Sequence, residues 1–311
     1  MKTNKTQDCC IEFSINKFME VWGSAFSNHT HIDLLQDSTF ECIVFRHSDQ
    51  FFLHVTKGIE VQISLLWAKL KLSGALKTPN TPQLFQHSLD WLLLHEMSHI
   101  ELKHLDFADA FGVVQRPSLK QKTFYLLSKD MRPLAPLCLE MQADHEATDV
   151  LLGPYATNDW QGLREKVLAI SGMAMLIELE DTKNGADGRT HPKAATRVFQ
   201  LLGHLAEMPL IRAQLDQDTS LIPREDELRD FVEEVTIPCY FDAVHLAQAA
   251  GAASIESDLG NPEDFFRDVE VAKLGNRTKC MDFKTQGAKE WNKLWCCNQL
   301  LKPMLCESFQ T

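Results

Sequence analysis

Residues 91–100 read WLLLHEMSHI, an H-E-x-x-H motif inside an apolar run that is typical of a core helix. At about 100° per residue, His95 and His99 lie within about 40° of each other on one helix face, with Glu96 beside them. Two imidazoles one turn apart can occupy neighbouring corners of a zinc tetrahedron, and the glutamate can take a proton from a water at the open corner. Three ionisable side chains on a buried helix are costly without partners, so the context favours a metal site over a solvated face.

A third metal ligand is required, and a second predicted helix offers two carboxylates. Residues 140–147, EMQADHEA, place Glu140 and Asp144 one turn apart on one helix face. We assign Glu140 as the third ligand and Asp144 as the partner of a ligand histidine's free N–H, and the reverse order stays open as an alternative. His104 is a poorer ligand candidate, because on a continuous helix it lies about 140° around from His99 with no glycine to turn the chain. We expect it to be a surface histidine near a helix end.

A third motif follows a polar loop at residues 181–190. His191 precedes Pro192 at the junction of this loop with a helix, where an imidazole can reach over a cleft and donate a hydrogen bond to the oxyanion of a tetrahedral intermediate. Arg197, on the helix that follows, can hold a carboxylate of the Glu140 helix or of a peptide. The candidate residues are thus catalytic Glu96 and His191, metal-binding His95, His99 and Glu140, and supporting Asp144 and Arg197.

The rest of the chain predicts an α+β fold that is mostly helical. Residues 42–45, 51–55 and 59–63 are rich in β-branched and aromatic side chains and predict a small antiparallel N-terminal sheet at about 38–66. Helices are predicted over residues 11–27, 83–107, 137–152, 160–180 and 192–207. We expect a core over residues 1–210, holding the sheet, the active-site helix and the glutamate helix. A mostly helical region over residues 211–311 could pack on the same core.

The composition and charge of the chain argue against some classes of function. The chain has 311 residues, with 31 Lys and Arg against 43 Asp and Glu, a net charge of −12. This balance argues against nucleic acid as a partner, because phosphate binding needs a basic face. Since no apolar run reaches the roughly 20 residues of a membrane span and the N-terminus lacks an apolar signal region, we expect a soluble, cytoplasmic protein without an integral span. The nine cysteines are then expected to be reduced thiols.

Taken together, the three motifs resemble a known group of enzymes. Residues 91–100, 140–148 and 190–192, together with His104 and the helix over residues 167–179, are similar in order and context to the gluzincin metallopeptidases, including their M48-like group. The residues that surround the three motifs are most similar to the phage-exclusion protease Lit family, peptidase U49. The resemblance covers about residues 84–202, and the C-terminal third adds nothing specific to it.

The resemblance implies a zincin-like (gluzincin) core, with Zn²⁺ at His95, His99 and Glu140 and with Glu96 as general base. It also implies a bacterial, cytoplasmic enzyme that cuts a host protein of the translation apparatus when phage infection is sensed. The expected partners are a protein or peptide substrate and a phage-derived or protein activator, without nucleic acid. The alternative is a non-catalytic sensor or partner-binding protein that keeps zinc for stability.

Overall fold

The computed structural model describes residues 11–74, 80–111, 127–183, 185, 190–273 and 282–307. This part of the chain is a mostly helical α+β structure, as predicted. The strands are β1 Thr30–Leu35, β2 Cys42–His47 and β3 Gln50–Thr56. The helices are α1 Ile11–Trp22, α2 Gly58–Ser73, α3 Thr81–Glu101, α4 His104–Phe111, α5 Ala135–Leu152, α6 Trp160–Lys183, α7 Ala194–Leu215, α8 Glu225–Phe231, α9 Ile237–Ala250, α10 Ala253–Asp258, α11 Pro262–Ala272 and α12 Gln286–Glu307.

The sheet is mixed, which corrects the prediction of an antiparallel one. Its strand order is β1-β3-β2, with β3 antiparallel to β2 and parallel to β1. Leu53 of the central strand faces Ile32 on one side and Val44 on the other. Strand β1 was not predicted, because His31 and Asp33 give it a polar outer face and little strand propensity.

The predicted third strand at residues 59–63 is wrong, because these residues begin α2. Ile59, Ile63, Leu66 and Leu70 are all buried, which is helical spacing, whereas Val61 is 55 % exposed. Over five residues the alternation of apolar and polar side chains fits a strand equally well, and only the longer window separates the two periods. Gly58 starts the helix at a point where a Cβ would collide with the carbonyl groups of Ser38 and Thr39.

Helix α3 lies at the centre of the described structure and is packed against α1, α2, α5, α6 and β2. Its middle section is buried on nearly every side, including Trp91 and the polar Asp90 and His95. The largest apolar cluster joins residues from α1 to α12, so it includes side chains on both sides of residue 210. The division into two regions there stays a prediction. Among the described residues, no helix combines the length and the apolar character needed to cross a membrane.

The predicted helix over residues 83–107 is in fact two helices. Helix α3 begins after Asn80, whose side chain accepts a hydrogen bond from the backbone N–H of Gln83, and ends at Glu101. Lys103 then adopts the left-handed conformation, with φ 58°, and α4 starts at the next residue. This break changes the direction of the chain without a glycine.

Candidate metal centre

Helices α3 and α5 bring three side chains of the predicted site to one point. Glu140 Oε2 lies 3.1 Å from His95 Nε2 and 3.5 Å from His99 Nε2, and the two Nε2 atoms are 3.3 Å apart. Three ligand atoms at tetrahedral corners, each about 2.0–2.1 Å from a zinc ion, are separated by about 3.3–3.4 Å. The spacing and the two-nitrogen, one-oxygen donor set therefore fit a zinc ion. Within the residues that the structure describes, no other group of three or more His, Cys, Asp or Glu side chains brings its ligand atoms together in this way.

The opposite edge of the His95 ring faces Asp144. His95 Nδ1 lies 2.9 Å from Asp144 Oδ1, an ion-pair distance, although the N–H is not aligned with that oxygen. Asp144 also accepts two hydrogen bonds of 2.7 Å from Arg197, through Nε and Nη2. Glu140 thus lies with the two histidines, and Asp144 contacts the far side of the His95 ring. Arg197 binds Asp144, which is a carboxylate of the Glu140 helix. The guanidinium group of Arg197 in turn lies over the ring of Trp91, 5.4 Å from its centroid.

The contact between His95 and Glu140 shifts their pKa values in opposite directions. Although burial lowers it, the nearby carboxylates of Asp144 and Glu140 raise the pKa of His95 to about 10. Burial opposes ionisation of Glu140, but the charges of His99 and His191 and the contact with His95 hold its pKa well below the usual value. The centre therefore brings carboxylates and histidine rings into direct contact, and at such a site metal ions compete with protons for the same ligand atoms.

Glu96 lies beside this cluster and is held by the edge strand. The backbone N–H of Val44 in β2 donates a hydrogen bond of 3.1 Å to Glu96 Oε2. Burial raises the pKa of Glu96, although the positive charges of His95 and His99 oppose the shift. Glu96 lines a cavity of about 220 Å³ that also contains the three metal-site residues. The cavity's apolar lining includes Phe40, Ile43, Leu92, Leu105, Leu139 and Ile177.

His191 reaches this cavity from the segment before α7. Its Nε2 lies 3.5 Å from Glu140 Oε2, and its Nδ1 lies 3.1 Å from Asp181 Oδ2. Although burial raises it, the contact with His191 lowers the pKa of Asp181. Asp181 was not predicted as a site residue, since it falls at the end of α6 in a stretch that the sequence indicates to be a polar loop. The signal that could have found it is the pairing of a buried acid with a histidine ten residues away.

His104 does not lie where the sequence predicted. The expected surface histidine is 2 % exposed and touches His99, because the left-handed Lys103 turns the chain back under α3. Its Nδ1 lies 3.0 Å from His99 Nδ1, and its Nε2 lies 3.0 Å from Gln142 Oε1. Burial lowers the pKa of His104 to about 3, so its ring is neutral.

The comparisons with known proteins agree with the motifs. The model of the family Peptidase U49 matches residues 73–209, a range that contains all seven predicted site residues. No curated protein and no solved structure matches the chain. The assignment to the gluzincins therefore remains a prediction, whereas the predicted family is confirmed: residues 73–209 of this chain are a peptidase U49 region.

Proposed function

We propose that the protein is a soluble, zinc-dependent endopeptidase whose metal ligands are His95, His99 and Glu140. The observation that carries this proposal is the convergence of these three side chains, at tetrahedral spacing, beside a half-buried glutamate, Glu96, and a cavity. A zinc ion held there would supply a Lewis acid for the scissile carbonyl group and would lower the pKa of water. The peptidase family of residues 73–209 supports the reaction class.

Glu96 is the general base in this proposal. Its carboxylate takes a proton from the attacking water and passes it to the leaving amine. The hydrogen bond from Val44 fixes one oxygen of the carboxylate, so the base is already oriented before substrate enters. Burial raises the pKa of Glu96 toward neutral pH, and a carboxyl group with such a pKa can both accept a proton and return it.

His191 is the proposed oxyanion donor. The contact of Nδ1 with Asp181 holds the ring, and Nε2, which lies beside Glu140 at the cavity, is the atom that would donate to the oxyanion. The partner carboxylate holds the ring in one orientation, which is what a preorganised donor requires. Asp144 and Arg197 do not reach the reacting atoms in this account and act by positioning His95.

The substrate chain is proposed to lie along β2. Residues 59–63, which were predicted to be a strand, are helical and offer no strand edge to a substrate. Strand β2 is an edge strand, its residues 42–44 line the cavity, and the N–H of Val44 points toward Glu96 rather than toward β3. An extended peptide could add to this edge by backbone hydrogen bonds.

The biological role is proposed from the family resemblance. We propose that the enzyme is a cytoplasmic anti-phage effector that cleaves a host protein of the translation machinery, in response to a phage-derived or protein activator. The negative charge of the chain supports a protein rather than a nucleic acid as the target.

The test compares bacteria that express the wild type, Glu96→Gln or the control Glu146→Gln, with and without phage infection. Glu146 is exposed on α5, so its substitution changes the same chemical group away from the cavity. Proteome-wide mapping of new protein termini should reveal cleavage with the wild type and the control. In Glu96→Gln the cleavage should fall about 10²–10⁴-fold while zinc stays bound.

Two results would overturn the proposal. Undiminished cleavage by Glu96→Gln with zinc bound would show that this glutamate is not the base. Alternatively, a chain that cleaves no protein in any condition, and that unfolds when a chelator removes its zinc, would be the non-catalytic, zinc-stabilised sensor or partner-binding protein.

A further inference from the structure

A line of partly buried hydrogen bonds leads away from the metal centre through His99, whereas Asp144 contacts the other histidine, His95. It begins at the Nδ1 of His99, which faces His104 Nδ1 at 3.0 Å, with the two rings roughly perpendicular. It continues from His104 Nε2 to Gln142 Oε1, also at 3.0 Å. It ends where Gln142 Nε2 donates to Asn298 Oδ1, on α12. Its members come from four helices, α3, α4, α5 and α12.

If His99 binds a metal, the position of each hydrogen along this line of hydrogen bonds follows. If Nε2 of His99 gives its lone pair to the metal, its Nδ1 carries the hydrogen and donates to His104 Nδ1. Because Nδ1 of His104 accepts this bond, the ring carries its hydrogen on Nε2 and donates to the carbonyl oxygen of Gln142. The amide of Gln142 donates in turn to Asn298, so all three bonds run in one direction and each acceptor is matched by a donor.

We propose that His104, Gln142 and Asn298 are positioning residues that hold His99 in its metal-binding orientation and tautomer. This inference rests on the proposed function, since it takes His99 as a metal ligand. Asn298 lies in α12, Gln286–Glu307, outside residues 73–209 that match the peptidase family. The C-terminal helix is thereby part of the metal centre's support, and His99 has an imidazole where a ligand histidine often has a carboxylate or carbonyl partner.

The test measures zinc affinity by competition with a chelator for the wild type, His104→Leu, His104→Asn and the control His204→Leu. Leucine leaves His99 Nδ1–H without an acceptor, whereas the Oδ1 of asparagine can replace the Nδ1 of histidine. His204 is another histidine with a largely covered side chain, and it is paired with Asp149 and His145 instead of a metal-site residue, so its loss tests for general destabilisation. Circular dichroism establishes that each variant is folded.

We expect His104→Leu to bind zinc about 10–100-fold more weakly than the wild type, because partners of metal ligands have effects of this size. His104→Asn should recover most of the affinity, and His204→Leu should retain it. The visible spectrum of the cobalt-loaded protein should change in His104→Leu and be restored in His104→Asn, since it reports ligand geometry.

A double-mutant cycle extends the test to α12. Asn298→Leu should weaken zinc binding less than His104→Leu, because it acts through two intervening hydrogen bonds. In the His104→Leu background the same substitution should have no further effect on zinc affinity. An undiminished effect of Asn298→Leu in that background would show that α12 does not act through His104.

Failure of the inference can be told apart from failure of the proposed function. A wild-type chain that binds zinc and cleaves protein, alongside a folded His104→Leu of equal zinc affinity and unchanged cobalt spectrum, refutes the positioning role alone. The positioning role is also refuted if a folded His104→Asn variant binds zinc as weakly as His104→Leu does. A wild-type chain that binds no zinc refutes both.

Discussion

Replacing Arg197 by methionine removes the cation from the buried ion pair behind His95. The guanidinium and the Asp144 carboxylate share two hydrogen bonds of 2.7 Å, and their side chains are 2 % and 7 % exposed. Breaking a buried pair by deleting one partner costs about 3–5 kcal/mol, because the other charge stays buried and unpaired. Arg197→Met is therefore expected to lower the free energy of unfolding by about that amount, a large part of the stability of an ordinary domain.

The double variant Asp144→Leu/Arg197→Met separates stability from metal binding. Removing both charges in favour of apolar side chains is often close to neutral for folding, so the double variant should recover most of the lost stability. His95 has then lost its partner, and zinc affinity should stay about 10–100-fold below that of the wild type.

Urea unfolding of the zinc-free proteins and zinc titration of the folded ones are the assays. Equal unfolding midpoints for Arg197→Met and the wild type would refute the energetic reasoning. A double variant with wild-type zinc affinity would show that Asp144 does not position His95.

Three further predictions concern other parts of the molecule. Burial raises the pKa of Asp90 to about 6 from an ordinary value of 3.8, so its carboxylate destabilises the fold increasingly as the pH rises from about 4 to 6. In urea unfolding, Asp90→Asn should be more stable than the wild type by about 2–3 kcal/mol at pH 8 and no more stable near pH 4, and an equal advantage at both values would contradict this. Asp181→Leu frees the ring of His191, so kcat should fall about tenfold or more while zinc affinity is unchanged; a matching fall in zinc affinity would argue against an oxyanion role. In Gly172→Ala the new Cβ would lie 2.8 Å from a buried tryptophan ring, so the free energy of unfolding in urea should fall by about 1–3 kcal/mol. The control Gly203→Ala, whose new Cβ meets open space, should stabilise its helix. Equal effects of the two substitutions would contradict this packing.

The metal-site geometry could be predicted wherever helix periodicity alone sets it. The spacing of His95 and His99, and that of Glu140 and Asp144, follows from 3.6 residues per turn and needs no tertiary information. The sequence also gave a reason to place the two carboxylates against the histidines, because buried charges need partners. The choice between Glu140 and Asp144 needed the relative rotation of α3 and α5, which periodicity does not supply.

The parts that could not be predicted depend on backbone turns and distant contacts. The position of His104 depends on one left-handed residue, Lys103, of a type that rarely marks such a turn. Its connection to Asn298 joins residues far apart in sequence, and no local pattern indicates such a contact. Ile59 and Ile63, which were predicted to be in a strand, satisfy the strand and helix periods equally over a short window, so the burial of α2 against the core decides the outcome.

The central claim is that two imidazoles and a carboxylate from a separate helix bind one metal ion that keeps a position free for solvent. Anomalous diffraction at the zinc absorption edge, from crystals of the zinc-loaded protein, tests it most directly. We expect a zinc peak about 2.0–2.2 Å from His95 Nε2, His99 Nε2 and a Glu140 oxygen, with water in the remaining position. A peak elsewhere, or a fourth protein ligand in that position, would contradict it.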